Sequence, residues 1–325
     1  MSNLERDPVE VIAECTAETD ARAPVIRLLP RDVPLGGPRA MTVRRTLPQR
    51  GRSTIGAWCF IDHYGPEEVT AMVVPPHPHT GLQTVSWLFE GEIEHRDSTG
   101  AQALVRPGEL NLMTAGQGVS HSEVSTPGTS ALHGVQLWLA LPEQHRHQAP
   151  HFESHRIPPI VLDGVGLRVF AGELAGVRSP AALYSPLVGA ELTLPAGAAL
   201  DLPVDASFEH GVLVDAGTVT VEGSRLERGE LGYLEPGRGS IRLANEATQP
   251  ARVILLGGQP LGEQIVMWWN FIGRSHDEVT GWRAQWQSEV IAGTDAAGRF
   301  GTVAGYEGAP LAAPELPIVR LKPRG

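Results

Sequence analysis

The stretch PPHPHTGLQTVSWLFEGEIEHRDSTG, residues 75–100, alternates short β-rich runs with turn residues. Residues 83–90 form one run, and Gly91 separates it from a second run that begins at Ile93. Runs of this length bounded by glycine and polar turns are typical of β-strands. Similar runs are MTVRRTLP at 41–48, GAWCFIDHYG at 56–65 and GVQLWLAL at 134–141. The pattern predicts an all-β fold.

Composition narrows the class of protein. The chain has 325 residues, enough for about two domains of ordinary size. Its 26 basic and 37 acidic residues give a net charge of −11, which argues against direct binding to nucleic acid or to a membrane. Lys322 is the one lysine, so neither Schiff-base chemistry nor a phosphate-binding P-loop is expected. The charged start, MSNLERDPVEV, does not look like a signal peptide, and we expect a cytoplasmic protein.

Changes in composition along the chain predict five segments. Residues 1–22 are interpreted as a flexible N-terminal arm and residues 23–145 as an N-terminal, metal-binding barrel. Residues 146–159 are rich in His, Gln and Pro and are predicted to be a linker. A C-terminal barrel with a short helix is predicted for 160–292, and a tail without a clear element for 293–325.

The two β-rich regions resemble each other. Gly108-Glu109-Leu110 is followed after eight residues by Gly116 and after two more by Gly118, and the same intervals recur from Gly229. Such self-similarity predicts two tandem copies of one β-barrel. A helix is also predicted after Ser275, where Ser275 and Glu278 form a capping box.

The strongest chemical signal is a pair of short segments that carry metal-ligand side chains. His77 and His79 are separated by one residue, as are His121 and Glu123. Residues i and i+2 of a strand point to the same face, so three imidazoles and a carboxylate can converge inside a barrel. This set suits one transition-metal ion, Fe(II), Mn, Co, Ni, Cu or Zn, and ligand type alone does not choose among them.

A less specific interpretation competes with the metal site. Among 12 histidines, a His-x-His pair arises fairly often by chance. His95 and His133 could support the ligands from the same barrel, although nothing in the sequence requires it. The histidines in and next to the predicted linker are interpreted as solvated: His145, His147, His151 and His155.

Residues 75–100, followed by VRPGELNLMTAGQGVSHSE at 105–123, closely resemble the pirin family of bicupins. FIDHYGP at 60–66 and GGQPLGEQIVMWWNF at 257–271 support the resemblance, which spans about residues 25–287. It implies two tandem cupin barrels in one chain, the first of them holding iron, most simply as Fe(II). The iron-binding roles of the family fall on His77, His79, His121 and Glu123.

The internal repeat predicts which residues of the second barrel take the place of the ligands. Placing its glycines on those of the first puts Pro203 and Asp205 opposite the first histidine pair, with Arg242 and Ala244 opposite the second pair. These residues do not form a metal-ligand set, so the C-terminal barrel is expected to be metal-free.

The resemblance also implies a function. Some pirins are similar to quercetin 2,3-dioxygenases, which open a flavonol ring with O₂ and release carbon monoxide, so a flat aromatic substrate and O₂ are the expected partners. Glu123 is then the candidate catalytic base, and Val85, Trp87 and Met113 are candidate walls for the substrate, although ordinary barrel core is favoured for them. Gln83 departs from the family, which commonly carries glutamate there.

Two alternatives to the dioxygenase stay open. Other pirins look like iron-dependent regulatory proteins, in which the iron redox state changes how a transcription factor or a metabolic enzyme is bound. A metalloenzyme acting on an unrelated small substrate is the third interpretation, because the cupin fold does not determine the reaction.

Overall fold

The computed structural model describes residues 24–35, 41–68 and 72–323, and the predicted arm 1–22 lies outside them. Within the described residues the chain forms β-strands and one short α-helix, which confirms the predicted all-β class. The strands of the first half are β1 (Ile26–Leu28), β2 (Arg31–Leu35), β3 (Met41–Leu47), β4 (Trp58–Glu68), β5 (Val73–His79), β6 (Leu82–Glu90), β7 (Ile93–Asp97), β8 (Gln102–Val105), β9 (Glu109–Thr114), β10 (Val119–Ser125), β11 (Ala131–Ala140) and β12 (His151–Arg156).

The second half continues the same pattern of short strands. Its strands are β13 (Ile160–Leu162), β14 (Val165–Leu174), β15 (Val177–Arg178), β16 (Leu187–Leu194), β17 (Ala199–Pro203), β18 (Glu209–Ala216), β19 (Val219–Val221), β20 (Ser224–Leu226), β21 (Leu231–Leu234), β22 (Ser240–Ala244), β23 (Ala251–Gly258), β24 (Val266–Trp268) and β25 (Phe271–Gly273). Helix α1 (His276–Trp286) follows and runs into a π-helical turn, Gln287–Ile291.

Two barrels repeat each other strand by strand. The larger sheet of the first barrel has the order β12-β9-β6-β11-β4-β3-β2, and that of the second has β1-β21-β18-β23-β16-β14-β13. The smaller sheets, β5-β10-β7-β8 and β17-β22-β19-β20, correspond in the same way. The tandem repeat predicted from the glycine spacing is therefore confirmed.

Strands at the ends of the repeats lie elsewhere than the sequence suggested. The first described strand, Ile26–Leu28, pairs with β21 of the second barrel rather than joining the first. The predicted linker contains β12, whose six residues pair with β9 of the first barrel. Composition indicated a linker because Pro150 and polar side chains dominate there, but pairing satisfies the backbone groups of β9 that an edge strand would expose.

Apolar side chains join the two barrels. Trp87 on β6 stacks on Phe170 of the second barrel, with ring centroids 4.9 Å apart, and its Nε1 donates to Glu191 at 2.8 Å. Val85 belongs to the same buried cluster, so neither residue faces the interior of the first barrel. Met113 does pack inside that barrel. Two of the three candidate substrate walls are thus core residues between the barrels.

The predicted capping box at the start of helix α1 is confirmed. Ser275 is the N-cap residue, and its side chain accepts a hydrogen bond from the backbone N–H of Glu278 at 3.2 Å. Val279, Trp282 and Trp286 are buried on one side of the helix. No helix within the described part of the chain is long and apolar enough to cross a membrane.

Helix α1 and the residues after it pack near the first barrel, whereas the sequence grouped the helix with the second. Phe271, on β25 beside the helix, forms a bridge with Thr80, which directly follows β5. Phe300, from the predicted tail 293–325, is fully buried and meets Trp286 edge-on with ring centroids 5.5 Å apart. The described residues of the tail form no helix or strand. These aromatic contacts nevertheless hold it against the rest of the protein.

Candidate metal centre

The two predicted ligand pairs lie on neighbouring strands of the smaller sheet of the first barrel. β5 and β10 are antiparallel, and His77 is directly opposite His121 in the register. His79 and Glu123 lie two residues further along their strands and on the same face. None of the four side chains is more than 1% exposed.

Hydrogen bonds to backbone carbonyls determine which ring nitrogens of His77 and His79 carry hydrogen. The Nδ1 of His77 lies 2.9 Å from the carbonyl oxygen of Pro75, and that of His79 lies 3.2 Å from the carbonyl oxygen of Asn270. A carbonyl oxygen only accepts, so both Nδ1 atoms must donate. In the neutral imidazole, Nε2 is then left with a free lone pair.

These Nε2 atoms point at one another. The Nε2 atoms of His79 and His121 are 3.1 Å apart, and the Nε2 of His77 has no hydrogen-bond partner among the described residues. The three imidazoles offer ligand atoms that all lie within 4.8 Å of one another. Adjacent acceptor lone pairs repel in a dry interior, but a bound cation would satisfy them, so this arrangement fits a transition metal.

Burial favours the form of the imidazoles that binds metal. Desolvation lowers the pKa of His77 to about 4 and holds the pKa of His79 and of His121 well below the ordinary value for histidine. All three side chains are therefore neutral at physiological pH, and neutral imidazole is the form that ligates a metal.

Glu123 lies near the three histidines but is not part of their close group. Its Oε1 accepts a hydrogen bond from the Ser86 hydroxyl at 3.4 Å, and Ser86 is also 2.9 Å from Oε1 of Gln136. The role of Glu123 as a fourth ligand stays a prediction.

A second cluster of ligand-type side chains, missed at the level of sequence, lies between the barrels. His63 and His133 both place Nε2 on the same oxygen of Asp215, at 2.7 and 2.5 Å. Arg252 donates to the other oxygen at 2.6 Å, and Arg44 lies 3.4 Å from Nδ1 of His63. Hydrogen bonds and two nearby guanidinium groups account for this cluster, so we interpret it as a link between the barrels and not as a metal centre. His133 does not support the ligands of the first barrel.

The positions predicted to replace the ligands in the second barrel need correction. Pro203 and Asp205 are exposed, and Arg242 forms an exposed ion pair with Asp201 at 2.8 Å. The error arises because strands of the second repeat present the alternate residues inward. The inward side chains on the corresponding strands are aliphatic and offer no ligand atom: Leu200, Leu202, Ile241 and Leu243.

Comparison with known proteins follows the same division of the chain. The Pirin family profile matches residues 40–139, and that of the Pirin C-terminal cupin domain matches residues 189–291. The chain belongs to the pirin family. Its two barrels are therefore the two cupin domains of a pirin.

Several members of the pirin family resemble the chain over most of its length. A Pseudomonas aeruginosa protein, provisionally named quercetin 2,3-dioxygenase, is 43% identical over 295 residues, 90% of each chain. A pirin-like protein from Caulobacter vibrioides is 35% identical over 259 residues, 76% of this chain and 88% of the relative. The crystal structure of a quercetin 2,3-dioxygenase from Acinetobacter baumannii superposes with a TM-score of 0.85 at 37% identity, covering 93% of this chain and 99% of the other. A bacterial pirin from Escherichia coli in complex with nickel(II) shares the fold, with a TM-score of 0.56 at 19% identity over 73% of this chain and 99% of that one.

Gln83, the residue that departs from the pirin pattern, contacts the second barrel. Its Nε2 donates to the Thr114 hydroxyl at 2.9 Å and to the carbonyl oxygen of Ala182 at 3.0 Å. The side chain is 1% exposed, so both hydrogen bonds are formed away from solvent. Gln83 therefore uses its amide hydrogens to join the two halves of the protein.

Placing glutamate at position 83 is expected to destabilise the protein. In Gln83→Glu an ionised carboxylate faces the Ala182 carbonyl, loses both donated hydrogen bonds and costs about 1–3 kcal/mol of unfolding free energy. Urea denaturation measures the change, and Gln249→Glu in an exposed loop is the matched control. Equal stability of the two variants would show that the contacts of Gln83 do not matter.

Proposed function

We propose that the protein is a mononuclear metal-dependent dioxygenase that cleaves a flavonol such as quercetin with O₂ and releases carbon monoxide. The observation that carries the proposal is the group of three buried imidazoles whose Nε2 lone pairs converge without donors between them. The quercetin 2,3-dioxygenase names of the Pseudomonas and Acinetobacter relatives support the reaction class.

His77, His79, His121 and Glu123 would hold the metal. Fe(II) is the ion that we propose, and the donor set is also compatible with Mn, Co, Ni, Cu or Zn. When bound, the metal supplies a Lewis acid that lowers the pKa of a coordinated hydroxyl group, as the 3-hydroxyl of a flavonol would be.

Residues of the chain would handle the proton and orient the substrate. Glu123 is buried beside the three imidazoles, so its carboxylate is the base that we propose for the flavonol hydroxyl. The hydroxyl of Tyr64 and the Nε2 of Gln136 are buried without a hydrogen-bond partner among the described residues. Both belong to strands of the same barrel, so they are candidate groups for polar oxygens of a substrate.

Buried aromatic and apolar side chains lie beside the histidines. Phe60 and Trp138 stack with ring centroids 4.0 Å apart, and Trp138 meets His79 edge-on at 5.1 Å. Met113 belongs to the same buried cluster. Aromatic and apolar walls with a few polar groups are what a flavonol-sized ligand requires.

The four proposed ligands are buried, and residues 299–311 lie beside the two strands that carry them. The Arg299 side chain donates to the carbonyl of Gln117, the Ser120 hydroxyl donates to the carbonyl of Phe300, and the backbone N–H of Leu311 donates to the carbonyl of Pro76. These hydrogen bonds attach the segment next to both ligand-bearing strands.

A flavonol assay tests the proposal on protein of known metal content. The absorbance of quercetin should fall in air with formation of carbon monoxide, and it should stay constant under argon. Protein without metal, prepared with a chelator, is the control and should be inactive in air. If protein carrying one metal per chain leaves quercetin unchanged in air, the dioxygenase is the wrong function, and the regulatory role or another substrate takes its place.

A further inference from the structure

A fourth histidine and an aspartate extend the proposed centre away from the metal-facing side. β7 pairs with β10, with Asp97 opposite His121 and His95 opposite Glu123. The Nδ1 of His95 lies 3.4 Å from the Nδ1 of His121, and the Nε2 of His95 lies 3.1 Å from Oδ2 of Asp97. His95 and Asp97 are 3% and 1% exposed. The three side chains form a continuous buried series from carboxylate to ligand.

Asp97 acts only as a hydrogen-bond acceptor. Its Oδ1 accepts from the backbone N–H of Thr99 at 2.8 Å, from the Thr99 hydroxyl at 2.6 Å and from the N–H of Ala101 at 3.2 Å. Burial alone would raise the pKa of Asp97, but hydrogen bonds from His95 and Thr99 hold it below its ordinary value. The carboxylate is ionised, so its Oδ2 must accept a hydrogen from His95.

The hydrogen that His95 donates to Asp97 determines where the other imidazole hydrogens lie. In neutral His95 the hydrogen is on Nε2, so Nδ1 is an acceptor. The Nδ1 of His121 must then be the donor across the 3.4 Å contact, which leaves the Nε2 of His121 with its lone pair. That Nε2 is the atom that faces His79.

The ring of His95 is also held from the side. Phe152 on β12 stacks on it with ring centroids 4.4 Å apart and an angle of 17° between the planes. The ring therefore has little freedom to turn away from His121, and the strand that was predicted to be a linker supplies the contact.

We infer that His95 and Asp97 are positioning residues that fix His121 in the tautomer that presents Nε2 to the metal. The inference rests on the metal centre of the proposed function and adds how one ligand is oriented. His77 and His79 donate to backbone carbonyls, whereas His121 depends on two side chains. Metal affinity should therefore respond to substitutions in the His95–Asp97 pair, which make no contact with the metal.

Asp97→Asn is the sharpest test because it keeps the shape of the site. The amide oxygen of the variant can still accept from Thr99 and Ala101, while its NH₂ group faces Nε2 of His95. His95 must then carry its hydrogen on Nδ1, which opposes the Nδ1–H of His121. The expected result is a ~10–100-fold loss of affinity for the metal, as for other groups hydrogen-bonded to metal ligands. Competition with a chelator measures the affinity, and the d–d spectrum of the Co(II)-loaded protein should change.

Further variants separate tautomer from charge and from folding. Glu94→Gln removes a carboxylate from the outer side of the same strand, where Glu94 binds Arg96 and Gln102, and should retain wild-type affinity. His95→Phe should lose affinity as Asp97→Asn does, and His95→Gln, whose amide oxygen can accept from His121, should recover part of it. Thermal unfolding of the metal-free variants reports separately on folding.

The outcomes distinguish this inference from the proposed function. If wild-type protein binds no metal, the proposed function is wrong. If wild-type protein binds one metal and both Asp97→Asn and His95→Phe bind it equally tightly with an unchanged Co(II) spectrum, the positioning role is wrong while the metal centre stands.

Discussion

His121→Ala is expected to abolish stable metal binding. The substitution removes one of the three converging Nε2 atoms. The two histidines that remain offer too few nitrogen ligands to hold the ion. The affinity for the metal should fall by more than ~100-fold, which is the largest loss expected when only a residue hydrogen-bonded to a ligand is removed. Elemental analysis of protein purified with and without added metal measures the loss, and consumption of quercetin should cease with it.

The matched control for this substitution is His155→Ala. His155 lies on β12, is partly exposed and contacts Glu153 at 2.9 Å, so its removal should leave the metal content unchanged. His121→Gln also removes the imidazole but keeps a polar side chain of similar length, so it serves as a second variant in case His121→Ala does not fold. A folded His121→Ala protein that retains a full equivalent of metal would contradict the proposed ligand set.

Asp215→Asn is expected to cause a large loss of stability although it preserves the size of the side chain. The carboxylate accepts hydrogen bonds from His63, His133 and Arg252 at the junction of the two barrels, and it is fully buried. Removing one partner of a buried ionic group costs about 3–5 kcal/mol, because the other charge is left uncompensated. Urea denaturation should show a decrease of this order. Asp201→Asn, which breaks the exposed pair with Arg242, should cost less than ~1 kcal/mol.

The pH dependence of stability provides an independent check on Asp215. Burial alone would raise its pKa, but the hydrogen bonds from His133 and His63 and the charge of Arg252 hold it well below its ordinary value. A depressed carboxyl pKa stabilises the fold above the unfolded-state value of about 3.9, and that contribution is lost as the pH falls below it. The difference in unfolding free energy between wild type and Asp215→Asn should therefore become smaller below about pH 4. A difference that stays constant there would contradict the ionic role of Asp215.

Burial of His63 adds a second acid-sensitive contribution. Desolvation lowers the pKa of His63, against an opposing hydrogen bond from Asp215. The contribution is fully present above the unfolded-state pKa of about 6.5 and decreases as the pH falls below it. Acid therefore weakens the junction in two successive ranges.

Spacing along the sequence predicted those features of the site that are formed by residues of a single strand. The i, i+2 rule brought His77 and His79 to one face, and the same rule holds for His95 and Asp97, whose identical spacing was the available signal for the positioning pair. The register that sets His77 opposite His121 depends on pairing between strands about 40 residues apart and could only be expected from the family resemblance.

Groups assembled from distant strands could not be predicted in this way. His63, His133 and Asp215 lie on three strands from two barrels, and no short pattern connects them. The carbonyl of Asn270 that orients His79 is a backbone group. Any residue type at position 270 would supply it, so the sequence gives no signal of this role. The contacts of residues 299–311 arise in the same way, because glycine- and alanine-rich composition suggested a tail with little to bury.

The exchange of β1 into the second barrel has a consequence for biosynthesis. Ile26–Leu28 leaves the ribosome early, but its partner Leu231–Tyr233 is made about 200 residues later. The edge strand of the first barrel is its own β12, which is made before the second barrel, whereas β1 has no partner strand until β21 has been made. Completion of the second barrel thus joins an early segment of the chain to one that is made much later, and a fragment cut between the barrels would lack this pairing.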